Sequence, residues 1–390
     1  MRIPVYHSVS KWQLSGVNTW ACNLATAMAH DEEFEHIFLF TADQYYNIAE
    51  LDNAGLSYAF LDLPNNRTRL DEWSELKIFL EANAPCIYIP HYDFHRSAAI
   101  PTLSADVKVC LVAHSDDPAY YALVKRVGYA SDAVAAVSSY IAGVLKTDFP
   151  ELAARIKHIT SGVPASKGST DNSGVPSSLR LAYSNRLAQL QKRVFDLPLL
   201  VEQLSLSGVD FHLSIAGDGP DAAALIKRLD RCSGRERVTM LGSLSARGVD
   251  NLLAESDIFI LTSDFEGLPL SLLEAMAAGC VPVVYDIKSG VRDAIENGAN
   301  GFLVPHGDVI AMARIITDLD ANRMRLSSLA QNCVRTHEER FSSKQMAASF
   351  KLLFYELMTG IPGGARRDGK IRLTRDLQLR YRLMRRLVLK

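Results

Sequence analysis

Short apolar runs alternate with longer stretches of helical period along most of the chain, the pattern of stacked β–α–β units around parallel sheets. In the first half the runs IPVYHS, HIFLFTA, SYAFLDL, APCIYIP, KVCLVAH and AVAAVS predict strands. In the second half LRLAYSNR, FHLSIAG, RVTMLG, IFILTS, VPVVYD and GFLVP do the same. Helices fit between them, among them 19–29 and 269–278. Further on, Met346, Phe350, Leu353, Phe354 and Leu357 fall on one stripe of a helix that Ser342 and Ser343 can cap. Each half therefore reads as a doubly wound α/β domain.

The segment 164–178, PASKGSTDNSGVPSS, is rich in Ser, Gly and Pro and poor in bulky apolar side chains, which suits a linker. The expected division is 1–165 for the first domain, 166–340 for the second, 341–360 for a helix crossing back to the first, and 361–390 for a basic tail. Parallel sheets bind ligands outside the carboxyl ends of their strands, and two facing sheets would pool their loops in one cleft.

Charge changes this picture only at one end. The net charge of −2 gives no reason to expect a nucleic-acid partner. It conceals a net of +8 over 366–390, which leaves −10 for the rest. In the tail Leu377, Leu383, Met384, Leu387 and Val388 share a helical face largely opposite Arg375, Arg382, Arg385 and Arg386, although Arg380 intrudes on the apolar side. A basic amphipathic helix of this kind suits an anionic membrane surface or an acidic protein face. The six cysteines lack CxxC spacing and read as small core residues, not zinc ligands. The first dozen residues have no long apolar stretch of a signal peptide, and no run is apolar enough to span a bilayer. The expected location is the cytoplasm, with the tail at the inner face of the membrane as the peripheral alternative.

The most informative stretch is IFILTSDFEGLPLSLLEAMAAGCVPVVYD, which reads strand, loop, helix, turn, strand. Glu266 closes the loop, Gly267 lets backbone approach a ligand closely, and Pro269 stands where a helix begins. A helix N-terminus offers free N–H groups and a positive dipole end, a natural seat for a diphosphate. Glu274 lies about one and a half turns into that helix, placed to hold vicinal hydroxyls as an acidic residue holds ribose in dinucleotide sites.

Glu266 and Glu274 form an E-x7-E pattern, followed by Ala277, Ala278 and Gly279 and then by SGVRDAIENGANGFLVPHGD. Over nearly fifty contiguous residues the sequence resembles the retaining glycosyltransferases of family 4, which have the GT-B architecture of two Rossmann-like domains facing across a cleft. The resemblance implies that Glu266 contacts the donor sugar and Glu274 the ribose, and that amides around Gly267, Leu268, Pro269 and Leu270 meet sugar and phosphate. It further matches Arg186 and Lys192 to cations on the diphosphate, although the adjacent Arg193 leaves open which of the two points inward. His114 matches a histidine facing the donor sugar, and Gly217, in the turn AGDGP, a glycine near the nucleotide base. Gly16, in LSGVNTW, stands where family members carry a glycine pair, a departure from the pattern. Trp12 and Trp20 flank that loop as candidates for sugar stacking or for core anchoring. His7, His91 and His95 sit near strand ends as candidates for the acceptor side.

The implied reaction transfers a sugar from a UDP- or GDP-linked donor to a hydroxyl of a glycan or lipid-linked acceptor in cell-surface polysaccharide synthesis. No cofactor and no catalytic metal are expected, since Asp116–Asp117 is not a D-x-D motif. A sugar-nucleotide epimerase of the same architecture and a non-catalytic sugar-nucleotide-binding subunit are the alternatives.

Overall fold

The computed structural model describes residues 2–8, 15–41, 49–63, 68–91, 93–168 and 178–359. Seven strands form a first sheet: β1 (Ile3–Ser8), β2 (Phe34–Thr41), β3 (Ser57–Leu61), β4 (Cys86–Ile89), β5 (Val107–Ala113), β6 (Ala133–Ala136) and β7 (Ile156–His158). Their spatial order is β3-β2-β1-β4-β5-β6-β7. Six more form a second sheet: β8 (Leu179–Ser184), β9 (Phe211–Ala216), β10 (Val238–Gly242), β11 (Ile258–Leu261), β12 (Val281–Tyr285) and β13 (Phe302–Val304), in the order β10-β9-β8-β11-β12-β13. Adjacent strands are parallel throughout. Both sheets are thus Rossmann-like, each wound outward from a first strand and then back past it. The central strands β5, β11 and β12 are buried at every residue, as a sheet covered by helices on both faces requires.

All twelve apolar runs expected to be strands are strands; β7 was not anticipated. It has three residues, of which only Ile156 is buried, too few for any period to register. The first helix runs Gly16–Ala27, three residues ahead of the expectation, because the Ser15 hydroxyl accepts from the Asn18 N–H and caps it. The later helix runs Leu270–Ala277; Pro269 stands just outside it with extended backbone.

The strand order reverses between β1 and β4 in one sheet and between β8 and β11 in the other. At such reversals the loops leaving the strand ends diverge and open a crevice. The chain crosses between the sheets twice, and the crossings are tied together. Val163 donates to the Phe341 carbonyl and accepts from the Ser343 N–H, both at 2.9 Å. His337 reaches the Val163 carbonyl at 3.0 Å. Gly162 lies so close that a methyl there would stand 2.5 Å from the Ser342 carbonyl oxygen. The helix Ser343–Thr359 then packs on the first domain. Phe350 meets Trp20 edge-on, Phe354 meets Phe34, and Lys351 pairs with Asp31 at 2.7 Å. Of the segment read as a linker, 164–168 is already docked on the second domain, where Ser166 and the Lys167 N–H bond Asp250. The remainder, 169–177, lies outside the described residues, as do Trp12 and the basic stretch 361–390.

Candidate functional site

β8 ends in Asn185–Arg186–Leu187, β11 in the loop leading to Glu266, and the short helix Gln189–Lys192 lies between them. These three pieces converge on one amine. Lys192 Nζ is 2.5 Å from Glu266 Oε1 and 2.9 Å from Asn185 Oδ1. Ser263 donates to the same Glu266 oxygen at 2.6 Å, and Ser271, in the first turn of the next helix, donates to Asn185 Oδ1 at 3.1 Å. Lys192 is therefore the residue that points inward. Arg193 turns away in a left-handed conformation and pairs with Asp196 and Asp264. Glu266 is 6% exposed, so its charge is affordable only with the lysine beside it. Arg186 is exposed at the mouth of the same crevice, with no ion pair or hydrogen bond to its side chain among the described residues.

The helix Leu270–Ala277 has no side-chain cap, so its first-turn N–H groups face the space outside β11. Glu274 sits on this helix, half-buried. No hydrogen bond or ion pair reaches its carboxylate among the described residues. Loss of solvent, together with the negative charge of Asp250, pushes its carboxyl up to about 7. A carboxyl held this way lacks a partner that a ligand with hydroxyl groups would supply.

The first domain closes the site from across the crevice. His114 follows β5, and its carbonyl oxygen lies where a side chain on Gly267 would be, 2.0 Å from a methyl placed there. Gly290, after β12, donates to the Gly267 carbonyl at 2.6 Å and leaves no room for a side chain either, with Ser138 of the first domain 2.9 Å away. Ser139 bonds Asp293 through its N–H at 2.7 Å and again through its hydroxyl. A surface cavity of about 500 Å³ opens on this seam, with Tyr140, Val144, Lys288 and Arg292 in its walls. None of the residues singled out from the sequence lines it. Gly267→Ala is expected to push the two loops apart, since the obstacle is backbone and cannot swing aside. Activity should fall at least about a hundredfold through misplacement near the chemistry, with the thermal midpoint of unfolding little changed. Undiminished turnover would show that the contact is dispensable.

Residues 175–339 match the model of the glycosyl transferases group 1. That span holds the whole second sheet and every residue of the Lys192–Glu266 cluster. Among curated proteins, a putative colanic acid biosynthesis glycosyltransferase of Salmonella typhimurium is 36% identical over 117 residues, 28% of this chain and 29% of that one. The amylovoran biosynthesis glycosyltransferase of Erwinia amylovora is 31% identical over 182 residues, 42% of this chain and 44% of that one. The chain thus spans less than half the length of these curated relatives in its matches. Solved structures are similar over nearly the whole chain. A mutant of S. aureus TarM in complex with Fondaparinux, alpha-GlcNAc-glycerol and UDP has a TM-score of 0.76 at 12% identity, covering 90% of this chain and 99% of that one. Anabaena HepE in complex with UDP has a TM-score of 0.72 at 16% identity, covering 91% and 100%. At such identities the likeness is one of fold, and it is the two-domain GT-B architecture.

Within the group 1 match, Gly217 and Gly219 have a packing reason of their own. A side chain at Gly217, which has φ of +133°, would stand 1.9 Å from the Asn185 carbonyl, and one at Gly219 would stand 2.3 Å from that of Leu187. The turn is thus pressed against the Asn185–Leu187 loop. Gly16 is different: exposed in the first helical turn, with nothing within 4 Å of a methyl placed there. In the first domain one open choice is settled and one expectation is corrected. Trp20 anchors the core, buried against His91, His114 and Phe350, and offers no face to a sugar. His7 and His91 are also buried and do not line an acceptor surface; His95 pairs with Glu72 at 2.8 Å.

Several members of the site were not picked out from the sequence. Asn185 is adjacent to Arg186, yet nothing in its type distinguishes it from a turn residue until Lys192 and Ser271 are seen to share its oxygen. Ser263 and Asp250 carry no pattern at all. They enter through the loop of β11 and through the helix Ala246–Ala254, each brought near by the fold.

Proposed function

We propose that this chain is a retaining glycosyltransferase that moves a sugar from a nucleoside-diphosphate sugar to a hydroxyl of a growing glycan or lipid-linked glycan. The observation that carries the reading is the buried Lys192–Glu266 pair joined through Asn185 to the start of an uncapped helix, with the unpaired Glu274 beside it. The diphosphate sits against the helix N-terminus, from Gly267 and Leu268 through Pro269 to Leu270, with Lys192 and the exposed Arg186 supplying positive charge. Glu274 accepts from the ribose hydroxyls, Glu266 and His114 face the donor sugar, Gly217 approaches the base, and Gly16 faces the phosphates and the acceptor across the crevice. Uridine is the favoured base, in line with the UDP held by solved structures of this fold.

The bond from the sugar's anomeric carbon to the diphosphate oxygen breaks, and one from that carbon to the acceptor oxygen forms on the same face. The acceptor proton passes to the departing phosphate. Departure adds negative charge to the diphosphate and positive character to the sugar; Lys192, Arg186 and the helix end stabilise the first. This charge compensation by fixed cations is why the proposal includes no catalytic metal and no cofactor. Closure of the Gly267–His114 seam keeps water from the reacting carbon. Polysaccharide synthesis is the favoured setting because the relatives from Salmonella and Erwinia act there by name. The basic stretch 366–390 would hold the protein at an anionic inner membrane face beside a lipid-linked acceptor. No helix among the described residues is long and apolar enough to cross a membrane.

Incubating the full chain with a panel of UDP- and GDP-sugars tests the proposal. Slow release of free sugar and nucleoside diphosphate from one donor, with the anomeric configuration kept, supports it. Interconversion of sugars would replace it with an epimerase, and tight binding without any turnover would replace it with a binding subunit.

A further inference from the structure

Four imidazoles run in single file through the first domain. His114 Nε2 lies 3.0 Å from His91 Nδ1, His91 Nε2 lies 2.8 Å from His7 Nδ1, and His7 Nε2 lies 2.7 Å from His36 Nδ1. The file ends at Met28, whose Sδ is 3.2 Å from His36 Nε2. Two nitrogens sharing a tetrahedral zinc would stand roughly 3.3 Å apart, so each of these shorter gaps is occupied by one proton.

A neutral imidazole carries one N–H and one bare nitrogen, so the direction of one bond in such a file fixes all the others. Met28 settles the direction. A thioether has lone pairs and no hydrogen, so His36 Nε2 must be the donor to it. His36 Nδ1 is then bare and accepts from His7 Nε2–H; His7 Nδ1 accepts from His91 Nε2–H; His91 Nδ1 accepts from His114 Nε2–H. The last bare atom is His114 Nδ1. It has no partner among the described residues, and His114 is only half-buried. The neutral state is well supported. Burial pushes His36 and His114 down to about 3, and His7 and His91 well below their usual range. Nor does the file conduct protons through the domain, because Met28 can neither take one up nor pass one on.

We propose that Met28, acting through His36, His7 and His91, locks His114 in the Nε2–H form so that its bare Nδ1 accepts a hydrogen bond from a hydroxyl of the donor sugar. The sugar part of this inference rests on the function proposed above; the tautomer part does not. The lock selects chemistry: a hydroxyl can donate to Nδ1, whereas a carboxylate in the same place would set lone pair against lone pair. Met28, His36, His7 and His91 are positioning residues, and His114 alone touches substrate.

The full chain labelled with ¹⁵N-histidine reports the tautomer directly, because protonated and bare ring nitrogens resonate far apart in long-range ¹H–¹⁵N spectra. The His114 signals are assigned by their loss in His114→Gln. The expected result is a bare Nδ1 and a protonated Nε2 at His114; a protonated Nδ1 would overturn the proposal. Met28→Leu keeps the volume and removes the acceptor, so the minor tautomer of His114 should rise by roughly threefold to tenfold, the worth of one net hydrogen bond. An unchanged single tautomer in this variant would remove Met28 from the lock. Both spectra are taken without nucleotide sugar, so failure to turn over a donor leaves their outcome unaffected.

Discussion

Lys192→Ala is expected to lower stability by about 3–5 kcal/mol and to weaken nucleoside-diphosphate binding by about tenfold or more. Both effects have one origin. Among the described residues the amine is the only counter-charge within an ion-pair distance of Glu266, and that carboxylate is almost wholly buried. Removing the amine leaves a buried charge held by the Ser263 hydroxyl and takes a cation from the crevice at the same time. The two consequences separate by design. Lys192→Ala combined with Glu266→Gln removes both charges, and the denaturant midpoint should recover most of the loss while nucleotide affinity stays low. Arg186→Ala should do the reverse, weakening affinity without moving the midpoint, because that side chain is exposed. Chemical unfolding and UDP calorimetry on the four proteins decide it. A Lys192→Ala protein with the native midpoint and the native affinity would show that the amine neither neutralises Glu266 nor meets phosphate.

The same residues show how much of this molecule its sequence discloses. Twelve strands were visible because parallel strands buried on both faces leave unbroken apolar runs, and the β–α alternation then implies two doubly wound sheets. The loop and helix from Glu266 to Glu274 were visible because loop glycine, proline and carboxylates occur together in one contiguous piece. What sequence left open was direction and partnership. Lys192 and Arg193 are neighbours of like charge, and only the left-handed turn at Arg193 sends one to Glu266 and the other to Asp196. Asn185 and Ser271 lie 86 positions apart and meet only because β8 and β11 are adjacent in the sheet. Histidine at a strand end reads as exposed, yet His7 and His91 are buried, since the helix Gly16–Ala27 brings Trp20 onto His91. The file they form joins β1, β2 and the loops after β4 and β5, and no local pattern could reveal it.

Glu274→Gln should stabilise the ligand-free protein and impair the bound one, and pH separates the two effects. The carboxyl titrates near 7 in the fold and near 4.5 in the unfolded chain, so between these values the folded state holds the extra proton. Stability therefore falls as pH rises from about 4.5 to 7, because charging this group costs more in the fold than outside it. The penalty is absent below that window and complete above it, at roughly 3 kcal/mol. Glutamine has the same shape and never charges. The native protein and the variant should thus have equal unfolding midpoints near pH 4.5 and diverge as pH rises, with the variant the more stable by the full amount above pH 7. Donor affinity should move the other way, about tenfold to a hundredfold weaker in the variant, since a neutral amide replaces the carboxylate proposed to accept from two ribose hydroxyls. An unpaired acid kept at such a cost is what a binding group looks like before its ligand arrives, the usual opposition between stability and function at a site. Parallel pH–stability curves for the two proteins would show that position 274 is an ordinary solvated carboxylate. Unchanged donor affinity would show that the ribose lies elsewhere.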